Sequence, residues 1–183
     1  MPLWSVCVFC GSKAGSRPEY TQAAQTMGRL LAARRIRLVF GGGNSGLMGA
    51  IADACMSAGG EVVGVMPEVL VERENAHPGV TKLHVVRSMH ERKALMAALA
   101  DAFIVMPGGF GTLEEVFEIA TWQQIGLHAK PFGFLNVAGY YEPLLKLADH
   151  AAAEGFLRLE HRTELISEPD PEKLLDLLAG ACA

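Results

Sequence analysis

Three glycines in four positions are the feature of this sequence that points most directly to chemistry, and they lie in the stretch MPGGFGTLEE at residues 106–115. An apolar run typical of a buried strand precedes them, and Glu114 and Glu115 follow where an amphipathic helix begins. The first N–H groups of a helix have no acceptor within that helix, and the helix dipole makes them favour an anion. Glycines also remove the Cβ atoms that keep phosphate oxygens at a distance. The pattern therefore predicts a phosphate site.

The same run also has a purely structural interpretation. Thr112 is the predicted N-cap of the helix, and Thr112-x-x-Glu115 has the spacing of a capping box, in which the Glu115 carboxylate accepts from the Thr112 amide. Acidic residues in the first turn of a helix are stabilising without any ligand. On the pattern alone, the two interpretations have equal weight.

Arg92 favours the ligand interpretation. In the helix predicted to begin at Ser88, it shares an inward-facing stripe with three apolar residues, Leu95, Met96 and Leu99. A guanidinium on a buried stripe needs an anionic partner, because removing it alone from water costs several kcal/mol. A phosphate or a carboxylate can serve, and Lys93 adds a second cation. A structural ion pair of Arg92 with Glu114 or Glu115 is the alternative.

Two other motifs have structural interpretations. Gly41-x-Gly43-x-x-Gly46 matches the dinucleotide fingerprint as a string, but it follows the second predicted strand, and no acidic residue clearly ends the next strand. A tight strand-to-helix turn explains it equally well, and NAD is disfavoured. Cys7-x-x-Cys10 lies inside a predicted strand, where positions three apart face opposite sides, so we expect reduced structural thiols rather than a metal or redox site.

Short apolar strands and amphipathic helices alternate along the chain and must position these residues. Strands are predicted at residues 3–10, 36–40, 62–66, 83–86, 102–106 and 131–136. One helix begins with a predicted capping box of Ser16 and Glu19, and another with a box of Ser88 and Glu91. Further helices are predicted at 46–58, 112–125 and 140–153 and after Pro171, while residues 67–81 form a long polar segment.

This alternation predicts an α/β fold in a single domain spanning residues 1–183. Strands joined by single helices form right-handed crossovers, which build a doubly wound parallel sheet with helices on both faces. In such sheets, ligands bind beyond the carboxyl ends of the strands. Both glycine clusters fall at those ends.

Composition excludes several functional classes. The chain has 183 residues, 50% of them hydrophobic, with a mean hydropathy of +0.23, a formal net charge of −4 and a pI near 5.9. It has no basic block, so nucleic acid is a poor partner. The longest apolar run, residues 94–107, is interrupted by Asp101 and is too short for a membrane span, and the N-terminus lacks the pattern of a signal peptide. We expect a cytoplasmic protein whose surplus apolar content favours self-association.

The sequence closely resembles the LOG ("lonely guy") family of cytokinin riboside 5′-monophosphate phosphoribohydrolases, which are often labelled lysine decarboxylases. Residues 107–115, PGGFGTLEE, match the family signature P-G-G-x-G-T-x-x-E, and residues 89–93, MHERK, match its M-x-x-R-K element. The likeness covers nearly the whole chain through shorter elements: CGS at 10–12, GGG at 41–43, GLMG at 46–49, TW at 121–122, KP at 130–131, LN at 135–136 and GYY at 139–141.

The resemblance implies a Rossmann-like homodimer that hydrolyses the N-glycosidic bond of a nucleoside 5′-monophosphate, such as an N6-substituted AMP, to a free base and ribose 5-phosphate. By motif position, Arg92 and Glu115 are the implied catalytic pair. The other implied substrate contacts are Glu74, Lys93, Gly109, Phe110, Gly111, Thr112, Leu113, Glu114 and Thr121, with Gly109 to Thr112 at the phosphate. No metal or organic cofactor is implied. The stretch VERENAHPGV at residues 71–80 departs from the family pattern and leaves the base preference open.

A physical hypothesis follows for the two glutamates. The amides face the phosphate, while Glu115, one turn into the helix, faces the ribose. Glycosidic cleavage passes through an oxocarbenium-like state, which a nearby carboxylate stabilises while it deprotonates the attacking water. Acid–base assistance of this kind contributes about 100- to 10,000-fold in rate. A cation beside a carboxyl lowers its pKa, so Arg92 is expected to keep Glu115 ionised and oriented.

Two other functions compete with this one. The first is a non-catalytic carrier or sensor of a phosphorylated ligand, such as a nucleotide or the molybdenum cofactor, because related folds carry that cofactor. The second is the decarboxylase label, which requires pyridoxal phosphate on a lysine, and no lysine of this chain lies in a recognisable cofactor context.

Overall fold

The computed structural model describes residues 3–71 and 75–182. The strands are β1 (Ser5–Phe9), β2 (Arg37–Phe40), β3 (Val62–Pro67), β4 (Lys82–Val86), β5 (Ala102–Val105), β6 (Phe132–Leu135) and β7 (Ile166–Glu168). The helices are α1 (Pro18–Ala33), α2 (Gly46–Ser57), α3 (Glu68–Val71), α4 (Met89–Leu99), α5 (Phe110–Gln124), α6 (Glu142–Ala153), α7 (Leu159–Thr163) and α8 (Pro171–Ala181). A 3₁₀ turn at Val137–Gly139 precedes α6.

These seven strands form one parallel sheet in the order β4-β3-β2-β1-β5-β6-β7. At the centre, Cys7 of β1 lies between Val39 of β2 and Phe103 of β5. The strand order reverses between β1 and β5, so the loops that leave these two strands diverge and open a crevice. The predicted doubly wound parallel sheet is confirmed.

Successive residues of β1 face two separate hydrophobic layers. Val6 and Val8 pack in the layer covered by α1, α2 and α8, while Cys7 and Phe9 pack in the layer covered by α4, α5 and α6. Burial of both faces explains the near-continuous apolar runs that predicted the strands. Cys10 packs in the layer opposite to Cys7, which confirms that the two thiols face different sides.

The starts of three helices test the predicted caps. The Ser88 hydroxyl of α4 accepts from the Glu91 amide at 3.1 Å, as predicted, although the Glu91 carboxylate accepts from the Arg87 amide. The predicted box of Ser16 is wrong, because α1 begins at Pro18 with an N-cap that has no side-chain hydrogen bond. Proline is preorganised for the first helical position and sets that start.

Thr112 is also not the cap of its helix. α5 begins at Phe110 with Gly109 as N-cap, so Thr112 is the third helical residue, and the predicted Thr112–Glu115 capping box does not form. Thr112 is buried, with its side chain packed against Gly108. The glycines allow the helix to begin earlier than the cap preference of threonine suggests.

Three elements lie outside the predicted pattern. The edge strand β7 has three half-buried residues, and α7 and α3 have five and four residues, so none shows a clear periodicity. The polar segment at 67–81 contains α3 and returns to the first glycine cluster through an antiparallel bridge between Gly43 and Ala76. Within residues 3–71 and 75–182, no helix has the length and apolar character needed to cross a bilayer.

Candidate active site

A cleft of about 540 Å³ lies beyond the carboxyl ends of β1 and β5. The loop after β1 contributes residues 11–13, and the loop after β5 contributes residues 107–109. The start of α5 adds residues 110–112, and the side chains of Arg92 and Glu115 complete the charged part of the wall. The cleft therefore occupies the crevice in which doubly wound sheets bind ligands.

The first turn of α5 presents main-chain donors to this cleft. Its N-cap is Gly109, which has no side chain that could accept a hydrogen bond from the first amides. The first bond of the helix runs from the Leu113 amide to the Gly109 carbonyl at 3.1 Å. The amides of residues 109–112 stand before that bond, at the positive end of the helix dipole. Such amides are the kind of donors that favour an anion.

The glycines of this turn differ in what surrounds them. A Cβ atom on Gly108 would lie 2.7 Å from the Cβ of Thr112, so the packing of the protein itself requires this glycine. A Cβ on Gly109 or Gly111 would meet nothing within 4 Å, and Gly109 has an extended backbone that any residue adopts. The bare backbone at these two positions therefore leaves open space in the cleft, which suits a ligand that approaches the amides closely.

Arg92 enters the cleft from α4 and is 5% exposed. Its Nε donates to the Val65 carbonyl at 3.1 Å, and its Nη2 donates to the Gly41 carbonyl at 2.9 Å. The prediction that Arg92 faces inward is confirmed. These two partners are main-chain carbonyls of β3 and of the loop after β2, and they hold the guanidinium beside the cleft.

Glu115 lies in the second turn of α5, half-buried, and lines the cleft together with Arg92. Its charge acts on β1. Burial raises the pKa of the Cys7 thiol, the Glu115 carboxylate raises it further, and the Arg92 guanidinium lowers it. Burial and Glu115 likewise raise the pKa of Cys10, which lines the cleft floor. A carboxylate and a guanidinium therefore act on the same strand, next to the first amides of α5.

Lys93 and Glu114 are paired with each other. The Lys93 ammonium is buried and donates to the Glu114 carboxylate, and it lies 3.0 Å from the Glu118 carboxylate one turn later. Glu114 lines the cleft, whereas Lys93 is not among the described residues that line it. Lys93 thus joins α4 to the second and third turns of α5.

The other residues implied by the resemblance are more scattered. Phe110 lies at the cleft with its ring 92% exposed, whereas Leu113 packs against the hydrophobic layer of α5. Thr121 is exposed further along α5, and its hydroxyl donates to the Phe117 carbonyl at 2.7 Å. Glu74 lies outside the described residues.

Sequence reasoning missed several residues that line the cleft. Lys13 comes from the loop after β1, and Tyr20 and Tyr140 come from α1 and the turn before α6. The Tyr140 hydroxyl donates to the Gly108 carbonyl at 2.5 Å. The order of the strands could have indicated these residues. The strands β1 and β6 lie on either side of β5, so the loops that follow them flank the loop after β5.

The first glycine cluster serves the protein itself. Gly42 and Gly46 have φ values of +81° and +59°, and a Cβ on Gly46 would collide with the backbone of Ser12. A Cβ on Gly41 would collide with the Arg92 guanidinium. These contacts match the tight-turn interpretation. In the part of the chain that the structure describes, no three His, Cys, Asp or Glu side chains are grouped as metal ligands.

Comparisons with known proteins identify relatives over most of the chain. Residues 48–178 match a family model described as "Possible lysine decarboxylase". The cytokinin riboside 5′-monophosphate phosphoribohydrolase of Rhodococcoides fascians is 52% identical over 169 residues, which cover 92% of this chain and 85% of the relative. An Arabidopsis thaliana protein of the same name is 48% identical over 170 residues, which cover 93% of this chain and 78% of the relative.

Solved structures share the fold at lower identity. The molybdenum cofactor binding protein of Rippkaea orientalis has a TM-score of 0.76 at 22% identity, over 100% of this chain and 99% of that protein. The molybdenum cofactor carrier protein of Chlamydomonas reinhardtii has a TM-score of 0.74 at 18% identity, over 97% of both chains. These likenesses establish the Rossmann-like architecture alone.

Proposed function

This chain belongs to the LOG family of cytokinin riboside 5′-monophosphate phosphoribohydrolases, and from that premise we propose that it hydrolyses the N-glycosidic bond of N6-substituted adenosine 5′-monophosphates. The products are the free base and ribose 5-phosphate. One observation carries the proposal: a turn of open main-chain donors, a guanidinium and a carboxylate line the same cleft.

The 5′-phosphate binds the first turn of α5. Gly109 and Gly111 leave open space, so phosphate oxygens can approach the amides of residues 109–112 without meeting a Cβ. Phe110, between the two glycines, contributes its exposed ring to the substrate side of the turn. The dipole alone contributes about 0.3–1 kcal/mol, so direct hydrogen bonds supply most of the phosphate affinity.

Glu115 is the proposed catalytic carboxylate. It lies one turn beyond the phosphate-binding amides, which suits a contact with the ribose rather than with the phosphate. There it stabilises the oxocarbenium-like state and removes a proton from the attacking water. Arg92 completes the catalytic pair: the carbonyls of Val65 and Gly41 hold its guanidinium beside the cleft, where it orients Glu115.

The remaining proposed substrate contacts surround this centre. Glu114 lines the cleft, and Lys93 holds it by an ion pair; Leu113 secures the turn by packing into the core. Glu74 completes the proposed set from the segment before Asn75.

We further propose a cytoplasmic homodimer. Phe117, Thr121 and Ile125 follow one another at helical spacing on the exposed face of α5, and the two apolar side chains are 50% and 65% exposed. An apolar stripe of this kind favours contact with a second copy, and Thr121, the remaining proposed nucleotide contact, lies on the same face. The four free thiols suit a reducing compartment. Size-exclusion chromatography with light scattering checks the dimer, and a monomeric mass contradicts it.

Chromatography of released base tests the proposed reaction. Purified protein is incubated with AMP and isopentenyl-AMP, each beside its nucleoside. We expect base and ribose 5-phosphate from a monophosphate and no cleavage of the nucleosides, because only the monophosphates engage the amides of α5. Release of base from nucleoside and monophosphate at equal rates would contradict the role of the phosphate. Stable binding without release over hours would indicate a carrier.

A further inference from the structure

We propose that Tyr140 is a positioning residue for phosphate binding: it sets the direction of the Gly109 N–H by anchoring the carbonyl of the preceding residue. The inference rests on the proposed function in one respect, since it takes the first turn of α5 as the phosphate site. Nothing in the sequence motifs assigns this role to Tyr140, which lies about 30 residues from the turn.

The anchoring contact is direct. The Tyr140 hydroxyl donates to the Gly108 carbonyl at 2.5 Å. Its ring is braced on two sides, by an edge contact with Tyr20 at 5.8 Å and by an edge contact with Tyr141 at 5.0 Å between ring centroids. Both ring contacts favour the position from which the hydroxyl donates to Gly108.

The geometry of the peptide unit transmits this contact to the next residue. The Gly108–Gly109 peptide is planar and trans, so its C=O and its N–H point in opposite directions. A hydrogen bond that holds the Gly108 oxygen toward Tyr140 therefore holds the Gly109 N–H away from it. That N–H belongs to the open donors of the first turn of α5.

The glycines make such an anchor necessary. Glycine on both sides of a peptide lets it rotate at low cost, because no Cβ resists the change in the two flanking torsions. Rotation by half a turn would present the Gly108 oxygen to the phosphate in place of the Gly109 donor. Tyr140 opposes that rotation while it leaves the site free of any Cβ.

Tyr141 provides a matched control from the next position in the chain. Its hydroxyl also donates to a main-chain carbonyl, that of Met106 at 2.7 Å, but its side chain is buried in the core and does not line the cleft. Removing this phenol costs stability, because a buried carbonyl loses its partner. It does not change the direction of any amide in the phosphate turn.

The test compares Tyr140→Phe and Tyr141→Phe with the wild type by isothermal titration calorimetry. The probes are ribose 5-phosphate, inorganic phosphate and adenine. We expect Tyr140→Phe to weaken both phosphate probes about three- to tenfold, as for the loss of one hydrogen bond, and to leave adenine affinity and melting temperature unchanged. Tyr141→Phe should lower the melting temperature and leave phosphate affinity unchanged. Turnover of a monophosphate by Tyr140→Phe should show a raised KM with kcat within about twofold.

Two results overturn the proposal: unchanged phosphate affinity in Tyr140→Phe, or an equal loss of phosphate and adenine affinity. The second would mean that the ring only maintains the shape of the cleft. Tyr20→Leu, which removes one brace of the ring, should weaken phosphate in the same sense but less. The calorimetric measurements do not depend on whether the protein hydrolyses a nucleotide. Loss of phosphate affinity in a protein that releases no base would support the role of Tyr140 and refute the glycosidase.

Discussion

The two glycine loops of this protein look alike in sequence and are used differently. Both follow a strand at the carboxyl edge of the sheet and run into the first turn of a helix, residues 41–46 into α2 and residues 108–111 into α5. In the first loop, Gly41 and Gly46 have no room for a Cβ, because Arg92 and the backbone of Ser12 occupy that space. In the second loop, Gly108 is similarly confined, but Gly109 and Gly111 face open space.

The difference shows that a position can require glycine for two separate reasons. The first loop needs glycine for positive φ values and for close contacts within the protein, including the contact that seats the guanidinium of Arg92. In the second loop, no contact within the protein requires glycine at two positions, Gly109 and Gly111, and the proposed phosphate supplies the reason for it. A glycine string such as G-x-G-x-x-G therefore identifies a ligand site only where the space around each missing Cβ is known.

The largest effect is expected at the carboxylate that the second loop positions. Glu115→Gln should keep phosphate affinity and folding stability, because the main-chain donors are untouched, but it should lower kcat by about 100- to 10,000-fold. Base release measured by chromatography checks the rate, and calorimetry with ribose 5-phosphate checks binding. Glu118→Gln, in the next turn of α5 and outside the cleft lining, is the control and should retain most activity. Undiminished turnover in Glu115→Gln would remove Glu115 from the mechanism.

Arg92 is held by the first loop and lines the cleft beside the second, so its loss tests the two loops together. Arg92→Ala should lower kcat by roughly 100-fold or more, as for the loss of a charged group that acts in the transition state. It also removes a charged donor from each of the carbonyls of Gly41 and Val65, at a cost of about 1.5–3 kcal/mol each in the free energy of unfolding. Turnover is measured where urea titration shows the variant to be folded.

Arg92→Lys keeps the charge without the two-carbonyl geometry and is the matched variant. If Arg92→Ala loses stability but, once folded, retains its turnover, the role of Arg92 is structural alone.

Stability should respond most in the first loop. Gly46→Ala is expected to lower the free energy of unfolding by about 2–4 kcal/mol, because it combines a strained positive φ with a collision against the backbone of Ser12. Urea denaturation measures it. Gly59→Ala is the control, since Gly59 also has a positive φ (+80°) but open space around its missing Cβ, and it should cost only about 1–2 kcal/mol. Equal losses for the two variants would show that the close contact is unimportant.

The smallest effect is expected in the second loop, where a substitution should weaken phosphate binding without lowering stability. Gly111→Ala should leave stability unchanged or raise it by up to about 1 kcal/mol, because alanine is the better helix former and meets no neighbour. Phosphate affinity should fall a few-fold as the new methyl group enters the ligand space. Gly180→Ala in α8 has the same open surroundings far from the cleft, so it should affect stability alone. Unchanged phosphate affinity in Gly111→Ala would contradict the proposal that the second loop, unlike the first, leaves space for a ligand.

Several features of the fold follow from local pattern. Six strands and most helices were predictable, because buried parallel strands are continuous apolar runs and surface helices have a period near 3.6 residues. The Ser88 cap was predictable for the same reason, since a cap depends on residues three apart. The short edge strand β7 was not, because its three half-buried residues show neither pattern.

The caps of α1 and α5 show the limit of local rules. Ser16 and Thr112 have good capping side chains, yet Pro18 and the glycines before Phe110 decide where the helices begin. At the second start, the buried packing of Thr112 against Gly108 takes precedence over the preference of threonine for the N-cap.

By itself, the sequence determined the parallel α/β architecture, the position of both glycine loops at the carboxyl edge and the inward face of Arg92, since each depends on residues near one another in the chain. The tertiary structure alone decided that Arg92 donates to the carbonyls of Gly41 and Val65, that Tyr140 anchors Gly108, and that Gly109 and Gly111 face open space. Those outcomes depend on contacts between segments about 30 to 50 residues apart. Packing, rather than residue type or spacing, decides which of such segments meet and which space between them stays open.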